Sequence, residues 1–250
     1  GMCDMPFVRF AGVSLIAAAG WSVAYILPGW ATGAAIRLPL PENFWPQAAV
    51  VGGGLAILLG ISVQSSLRQK SYATKVIALT CFVLLASVFL GWPYLADFDQ
   101  GIMTVVQASR SAAAENFVVM VTGLGDFRTQ FCAAALLTIL LVATRQWRHA
   151  IFVVGTALGA ALINQSMKYT FARARPEVLA EPLATYSMPS GHASASFALF
   201  IALAVLAGRG QPVRLRLTWL LLGGIPALAI AMSRVYLGVH WPTDVTAGML

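Results

Sequence analysis

Residues 189–208 read Pro189-Ser190-Gly191-His192-Ala-Ser-Ala-Ser-Phe-Ala-Leu-Phe-Ile-Ala-Leu-Ala-Val-Leu-Ala-Gly208. After His192 the stretch carries no ionisable side chain, and its length approaches the roughly 20 residues that cross a hydrocarbon core as a helix. Such a segment has no charged face to offer water, so it reads as a membrane span opened by a polar motif. Ser190 stands where a helix N-cap belongs. Unpaired backbone N–H groups, the positive end of the helix dipole and a glycine that permits close approach make this end a site for an anion such as phosphate. His192 would stand beside that anion.

The same apolar character recurs along the chain. Runs suited to membrane helices fall near residues 10–31, 47–66, 76–95, 129–146, 150–168, 192–208 and 216–235, and an eighth begins around 244. The 250 residues are 59% hydrophobic and 10% charged, with mean hydropathy +0.78, which excludes an ordinary soluble domain. The net charge of +7 raises nucleic-acid binding, but the cations sit between apolar runs rather than on one basic face. Lys and Arg crowd alternate connections: Arg68, Lys70 and Lys75; Arg145 and Arg148; Arg209, Arg214 and Arg216. Those three connections hold no acid, whereas the intervening ones carry Glu42, then Asp97, Asp99, Glu115 and Asp126, then Glu177 and Glu181, and finally Asp244. By the positive-inside rule the acid-bearing connections are extracytoplasmic. The first run has no cationic leader of its own and no small-residue cleavage site, so it is expected to be a structural span. Residues 100–124 are less apolar, and Val105, Val106, Phe117 and Val118 predict an amphipathic helix along the interface. Cys3, Cys81 and Cys132 lie within or beside apolar segments, without a CxxC pair or metal-ligand spacing, and read as packing residues.

Two further polar clusters fall on the same predicted face as Ser190 and His192. In Lys168-Tyr-Thr-Phe-Ala-Arg-Ala-Arg175-Pro176, a continuous helix would put Lys168 and Arg175 two turns apart on one side. Arg173, two residues from Arg175, would then point away and meet lipid headgroups. In Ser233-Arg234-Val-Tyr-Leu-Gly-Val-His240-Trp-Pro-Thr-Asp244, a shared helical turn would let Asp244 hold one nitrogen of His240 and leave the other as a nucleophile. An Arg, a His and an Asp grouped at a membrane edge predict a functional site. The inventory suits in-line displacement at phosphorus, where positioning and charge stabilisation dominate. His240 would attack, Asp244 would orient it, and His192 would protonate the leaving oxygen and then activate water. Lys168, Arg175, Ser190, Gly191 and Arg234 would bind the phosphate. Asn164 and Gln165 are expected to bond between helices, Trp92, Tyr94, Tyr186 and Trp241 to form an interfacial belt, and His149 to have no role.

These signatures, KxxxxxxRP, PSGH and SRxxxxxHxxxD, are complete and in order, and the chain resembles the phosphatidic acid phosphatase type 2 and haloperoxidase superfamily over residues 75–250. The resemblance implies an all-α, polytopic transmembrane helical bundle with a six-span phosphatase core whose last span is cut short, preceded by about two extra spans. It implies no metal requirement and no cofactor, and a lipid phosphate or diphosphate as substrate, with membrane lipids as the surroundings and no nucleic-acid partner. Oligomeric state stays open. Residues 36–74 are expected to connect through an extra span, and residues 1–35, with Tyr25-Ile-Leu-Pro-Gly-Trp30, resemble the C-terminal end of the DedA family. The expected activity is a metal-independent phosphatase of a bacterial inner membrane, its site facing the periplasm and working through a phospho-histidine. A lipid phosphotransferase, or a lipid transporter or scramblase with a non-catalytic anion site, are the alternatives. Vanadate-dependent haloperoxidases share the cluster but are soluble.

Overall fold

The computed structural model describes residues 38–67, 73–176 and 185–250. The apolar run at 10–31 and the DedA-like segment at 1–35 lie outside the described residues, as do Arg68, Lys70, Glu177 and Glu181. Within the described residues every regular element is helical: α1 (Phe44–Leu67), α2 (Ala73–Gly91), a 3-10 turn (Trp92–Leu95), α3 (Ala96–Ala108), α4 (Ala112–Gly123), α5 (Phe127–Ala143), α6 (Trp147–Phe171), α7 (Gly191–Gly208), α8 (Val213–Tyr236) and α9 (Pro242–Met249).

Hydropathy explains the long members. Ala78–Ala108, α6, α7 and α8 are each long and apolar enough to cross a membrane, and α4 with α5, bent by 42°, would make a fifth span. In an apolar solvent a helix satisfies its own backbone hydrogen bonds, so charge-free runs fold this way. Their outward faces carry exposed Leu79, Phe82, Leu90, Ile151, Leu158, Leu162 and Ile225, which a bilayer would cover.

The expectation for residues 100–124 needs correction. The span begun in α2 does not stop near 95; the 3-10 turn redirects it and α3 carries it to Ala108, with Asp99, Gly101 and Met103 buried. Ser111 then caps α4, accepting a hydrogen bond from the Ala114 N–H at 3.3 Å, and α4 packs on α8. Two helices with a break at residues 109–111, rather than one, occupy this stretch, and Phe117, Val119 and Met120 stay exposed.

The bundle is built on α7 and α8, its most extensively packed pair, with α6 on one side. Short α9 inserts between α7, α8, α3 and α2. Buried Met103, Ala193, Ala231, Val235 and Val245 form the core where α3, α7, α8 and α9 meet. That core sits at the end of the bundle carrying all three polar motifs, so apolar packing fixes the motif-bearing termini of α7, α8 and α9 against one another.

Candidate active site

Each motif lies at the end of a helix, and the chain geometry there aims the side chains. Ser190 is the N-cap of α7 and fully buried; its hydroxyl accepts from the Ala193 N–H at 3.5 Å. Its own N–H donates to the Asp244 carbonyl at 2.9 Å, which ties the start of α7 to α9. His192, in the first turn of α7, places Nε2 2.9 Å from Asp126 Oδ1. The loop before α5 makes this possible through Gly125, where a Cβ would overlap Ile230 and come within 2.9 Å of His192 Cδ2.

At the end of α8, Gly238 takes a left-handed conformation with φ 72°, the usual termination of a helix by glycine. The turn that follows delivers His240, which is 2% exposed. His240 precedes α9 rather than sharing a helical turn with Asp244. Asp244 lies in the first turn of α9, where its Oδ2 accepts from the Trp241 N–H at 2.8 Å and from the Ser187 hydroxyl at 2.6 Å. The same oxygen is 3.6 Å from His240 Nδ1, long for a direct hydrogen bond, and Nδ1 has no closer partner among the described residues.

The helix carrying Lys168 stops at Phe171 and does not reach Arg175. Ala172 is left-handed, with φ 45° and ψ 33°, a conformation that disfavours any side chain, and the chain continues extended to Pro176. Lys168 and Arg175 therefore do not share a helix face, yet both reach the site. Lys168 donates to the Tyr186 carbonyl at 2.6 Å. Arg175 donates to the Val239 carbonyl at 2.7 Å, to the Thr185 carbonyl at 2.8 Å and to the Thr185 hydroxyl at 2.9 Å. Its Nη1 also lies 3.2 Å from His240 Nε2. A guanidinium can only donate, so Nε2 accepts, and the imidazole proton sits on Nδ1, facing Asp244.

Arg234, near the end of α8, donates to Thr122 Oγ1 at 2.8 Å, and its buried Nε has no partner among the described residues. Arg175 lies within electrostatic reach of Lys168, Arg234 and both imidazoles. None of the three cations forms an ion pair among the described residues. Clustered cations without a directly paired acid are costly to bury unless an anion joins them. Burial pushes the pKa of His240 down to about 4, against the pull of Asp244 and with help from Arg175 and Lys168. Burial also lowers that of Arg175, opposed by Asp244.

Arg173 overturns its expected role. It is buried, not turned to headgroups, and donates to Asp244 Oδ1 and Thr243 Oγ1, each at 2.7 Å, and to Asp99 Oδ2 at 2.6 Å. Asp99 accepts in turn from the Thr243 N–H at 2.9 Å and the Thr243 hydroxyl at 2.5 Å. Trp92 and Trp241, expected in an interfacial belt, also lie against the Arg173 guanidinium, their ring centroids 4.4 and 5.4 Å from its central carbon. Tyr94 is strongly exposed. Asn164 bonds between helices as expected, donating to the Ser194 hydroxyl at 2.9 Å. Asp99, Asp126 and Arg173 are thus the charged residues at the site whose contacts the sequence did not disclose, and Thr122, Thr185, Ser187 and Thr243 join them as polar partners. For Asp126 a signal existed, since charge alternation placed it on the face shared with His192.

Comparison with known proteins bears on this geometry. The family model of the PAP2 superfamily matches residues 148–250. An undecaprenyl-diphosphatase from Sulfolobus acidocaldarius is 30% identical over 190 residues, covering 73% of this chain and 86% of the relative. A lipid A 1-phosphatase from Rhizobium etli is 28% identical over 167 residues, covering 57% of this chain and 68% of the relative. The crystal structure of a transmembrane PAP2 type phosphatidylglycerolphosphate phosphatase from Bacillus subtilis has the same fold, with a TM-score of 0.60 at 22% identity over 71% of this chain and 89% of that one.

Proposed function

We propose, since this chain belongs to the PAP2 superfamily and is an integral membrane protein, that it hydrolyses a lipid phosphate or diphosphate through a phospho-histidine at the extracytoplasmic face. The similar proteins named above carry lipid phosphatase and diphosphatase names. What supports the finer reading most is the convergence of Lys168, Arg175 and Arg234, none of them acid-paired among the described residues, on a position flanked by His192 and His240. A tetrahedral dianion would offset most of that charge.

In the first step the Nε2 lone pair of His240 attacks phosphorus, and the bond to the leaving lipid oxygen breaks. Arg175, which donates to Nε2 in the free site, turns its N–H groups to the phosphoryl oxygens, beside Lys168, Arg234 and the N–H of Gly191. Charge develops on those oxygens, and fixed cations in a dry cradle stabilise it without reorganisation. The proton on His240 Nδ1 stays facing Asp244, whose charge offsets the imidazolium. His192, its Nε2 held by Asp126, protonates the leaving oxygen. In the second step His192 takes a proton from water, the water oxygen bonds phosphorus, and the bond to His240 breaks. Inorganic phosphate and the starting enzyme result. The alternation of Lys and Arg between connections supports an extracytoplasmic site, the periplasmic side if the host membrane is a bacterial inner membrane.

The test presents purified protein with a panel of lipid phosphates and diphosphates in EDTA and follows inorganic phosphate. Quenching in alkaline detergent with radiolabelled substrate should trap an acid-labile, alkali-stable phosphoprotein. That species should be absent from His240→Ala and present in His192→Ala. Full turnover in either variant overturns the assignment.

A further inference from the structure

The end of the bundle remote from the site holds a second cationic cluster that the chemistry above does not use. The 18 residues of α7 rise about 27 Å at roughly 1.5 Å each, so its far end lies near the opposite membrane surface. There, between the end of α7 and the start of α8, is a pocket of about 450 Å³. Arg209 and Arg216 line it, and Val205, Leu217 and Leu220 form apolar wall.

The charges in this pocket are unbalanced. No ion pair among the described residues involves Arg209, Arg214 or Arg216, and the buried Nε of Arg216 has no hydrogen-bond partner among them. Arg209 Nη1 lies 2.7 Å from His149 Nε2; because the guanidinium must donate, that nitrogen accepts and His149 brings no negative charge. Arg209 is exposed, but Arg216 is half-buried, and a half-buried guanidinium beside apolar side chains is unfavourable unless an anion pairs with it. At a bilayer surface the anion at hand is a lipid phosphate, which a planar guanidinium binds with parallel hydrogen bonds.

We propose that this pocket binds the phosphodiester headgroup of an anionic phospholipid in the leaflet opposite the active site. Arg209 and Arg216 hold the phosphate, while Val205, Leu217 and Leu220 receive the start of an acyl chain. The apolar wall favours lipid over free phosphate, because inorganic phosphate would leave that wall bare. The inference is independent of the hydrolytic reaction and rests on charge, burial and cavity alone.

The test is native mass spectrometry of the detergent-purified protein titrated with phosphatidylglycerol or phosphatidylcholine. The wild type should retain phosphatidylglycerol about tenfold more strongly. Arg209→Gln combined with Arg216→Gln should remove that preference and leave lipid phosphate hydrolysis in detergent unchanged. Millimolar inorganic phosphate should not displace the lipid. A photoactivatable phosphatidylglycerol should label residues 204–220 of the wild type, a readout that does not depend on the variant folding. Equal retention of the two lipids, a preference that survives the double substitution, displacement by free phosphate, or labelling confined elsewhere would each overturn the proposal.

Discussion

The site contains two histidine–aspartate pairs of opposite construction. His240 and Asp244 have side chains 3% and 0% exposed, and Asp244 is further fastened by Arg173, Ser187 and the Trp241 N–H. His192 and Asp126 are 21% and 58% exposed, and a single contact joins them. The nucleophile proposed at His240 would gain from the first environment: burial keeps the imidazole neutral, and fixed neighbours hold its lone pair in line. A group that gives a proton and then takes one from water gains from the second, since water must reach it. The difference teaches that role follows from surroundings, because the side chains themselves are identical.

The comparison can be broken most severely at the buried pair. His240→Ala should lower turnover on the order of 10⁴-fold, leaving what cation binding alone supplies, with initial rates of phosphate release as the measure. His192→Ala should lose less, about 10²–10³-fold, as expected for a general acid–base group; a loss equal to that of His240→Ala would erase the distinction. Behind the nucleophile, Arg173→Gln should reduce kcat by roughly 10–100-fold with little change in KM, because it strips a cation from Asp244 while leaving the phosphate-binding groups in place. It should also destabilise the protein by about 3–5 kcal/mol through the unpaired carboxylates left behind, seen as a lower denaturation midpoint in detergent.

The pH dependence sharpens the same contrast. On the proposed mechanism His240 must be neutral to attack, and its pKa is depressed to about 4, so its acid limb in kcat/KM should fall near pH 4 and not near the ordinary histidine value of about 6.5. In Arg173→Gln the less neutralised Asp244 should favour the imidazolium, moving that limb upward. Asp126→Asn should have the smallest effect, about tenfold or less, since its pair with His192 is half exposed and screened. An acid limb near 6.5 in the wild type would mean that the buried imidazole does not carry the attack.

What was legible in the sequence had local causes. Charge-free runs revealed α5, α6, α7 and α8 because a membrane span must exclude charge along its own length. Ser190 was readable as an N-cap because capping is a contact within one turn. Lys168, Arg175, Arg234 and His240 could be gathered because each motif abuts a span on one side of the bilayer. Arg173 failed because its direction was inferred from helical periodicity, and the helix ends at Phe171, before the left-handed Ala172. Asp99 failed for another reason. Its partners lie 74 and 144 residues away, and an acid in a predicted extracytoplasmic connection reads first as a topology marker. The stretch from 100 to 124 read as a single helix because its composition is even, whereas the break at residues 109–111 depends on the Ser111 cap and on the Tyr236 hydroxyl that accepts from the Ser111 N–H, a contact from a distant part of the chain.

The long sequence separation within the Asp99–Arg173–Thr243 network also bears on biosynthesis. At about 5–20 residues per second, Asp99 leaves the ribosome roughly 4–15 seconds before Arg173, and Thr243 comes later still. During that interval its carboxylate lacks the guanidinium that later neutralises it and must stay hydrated or protonated. The α3 segment therefore cannot reach its final contacts until the segments carrying Arg173 and Thr243 have also been made.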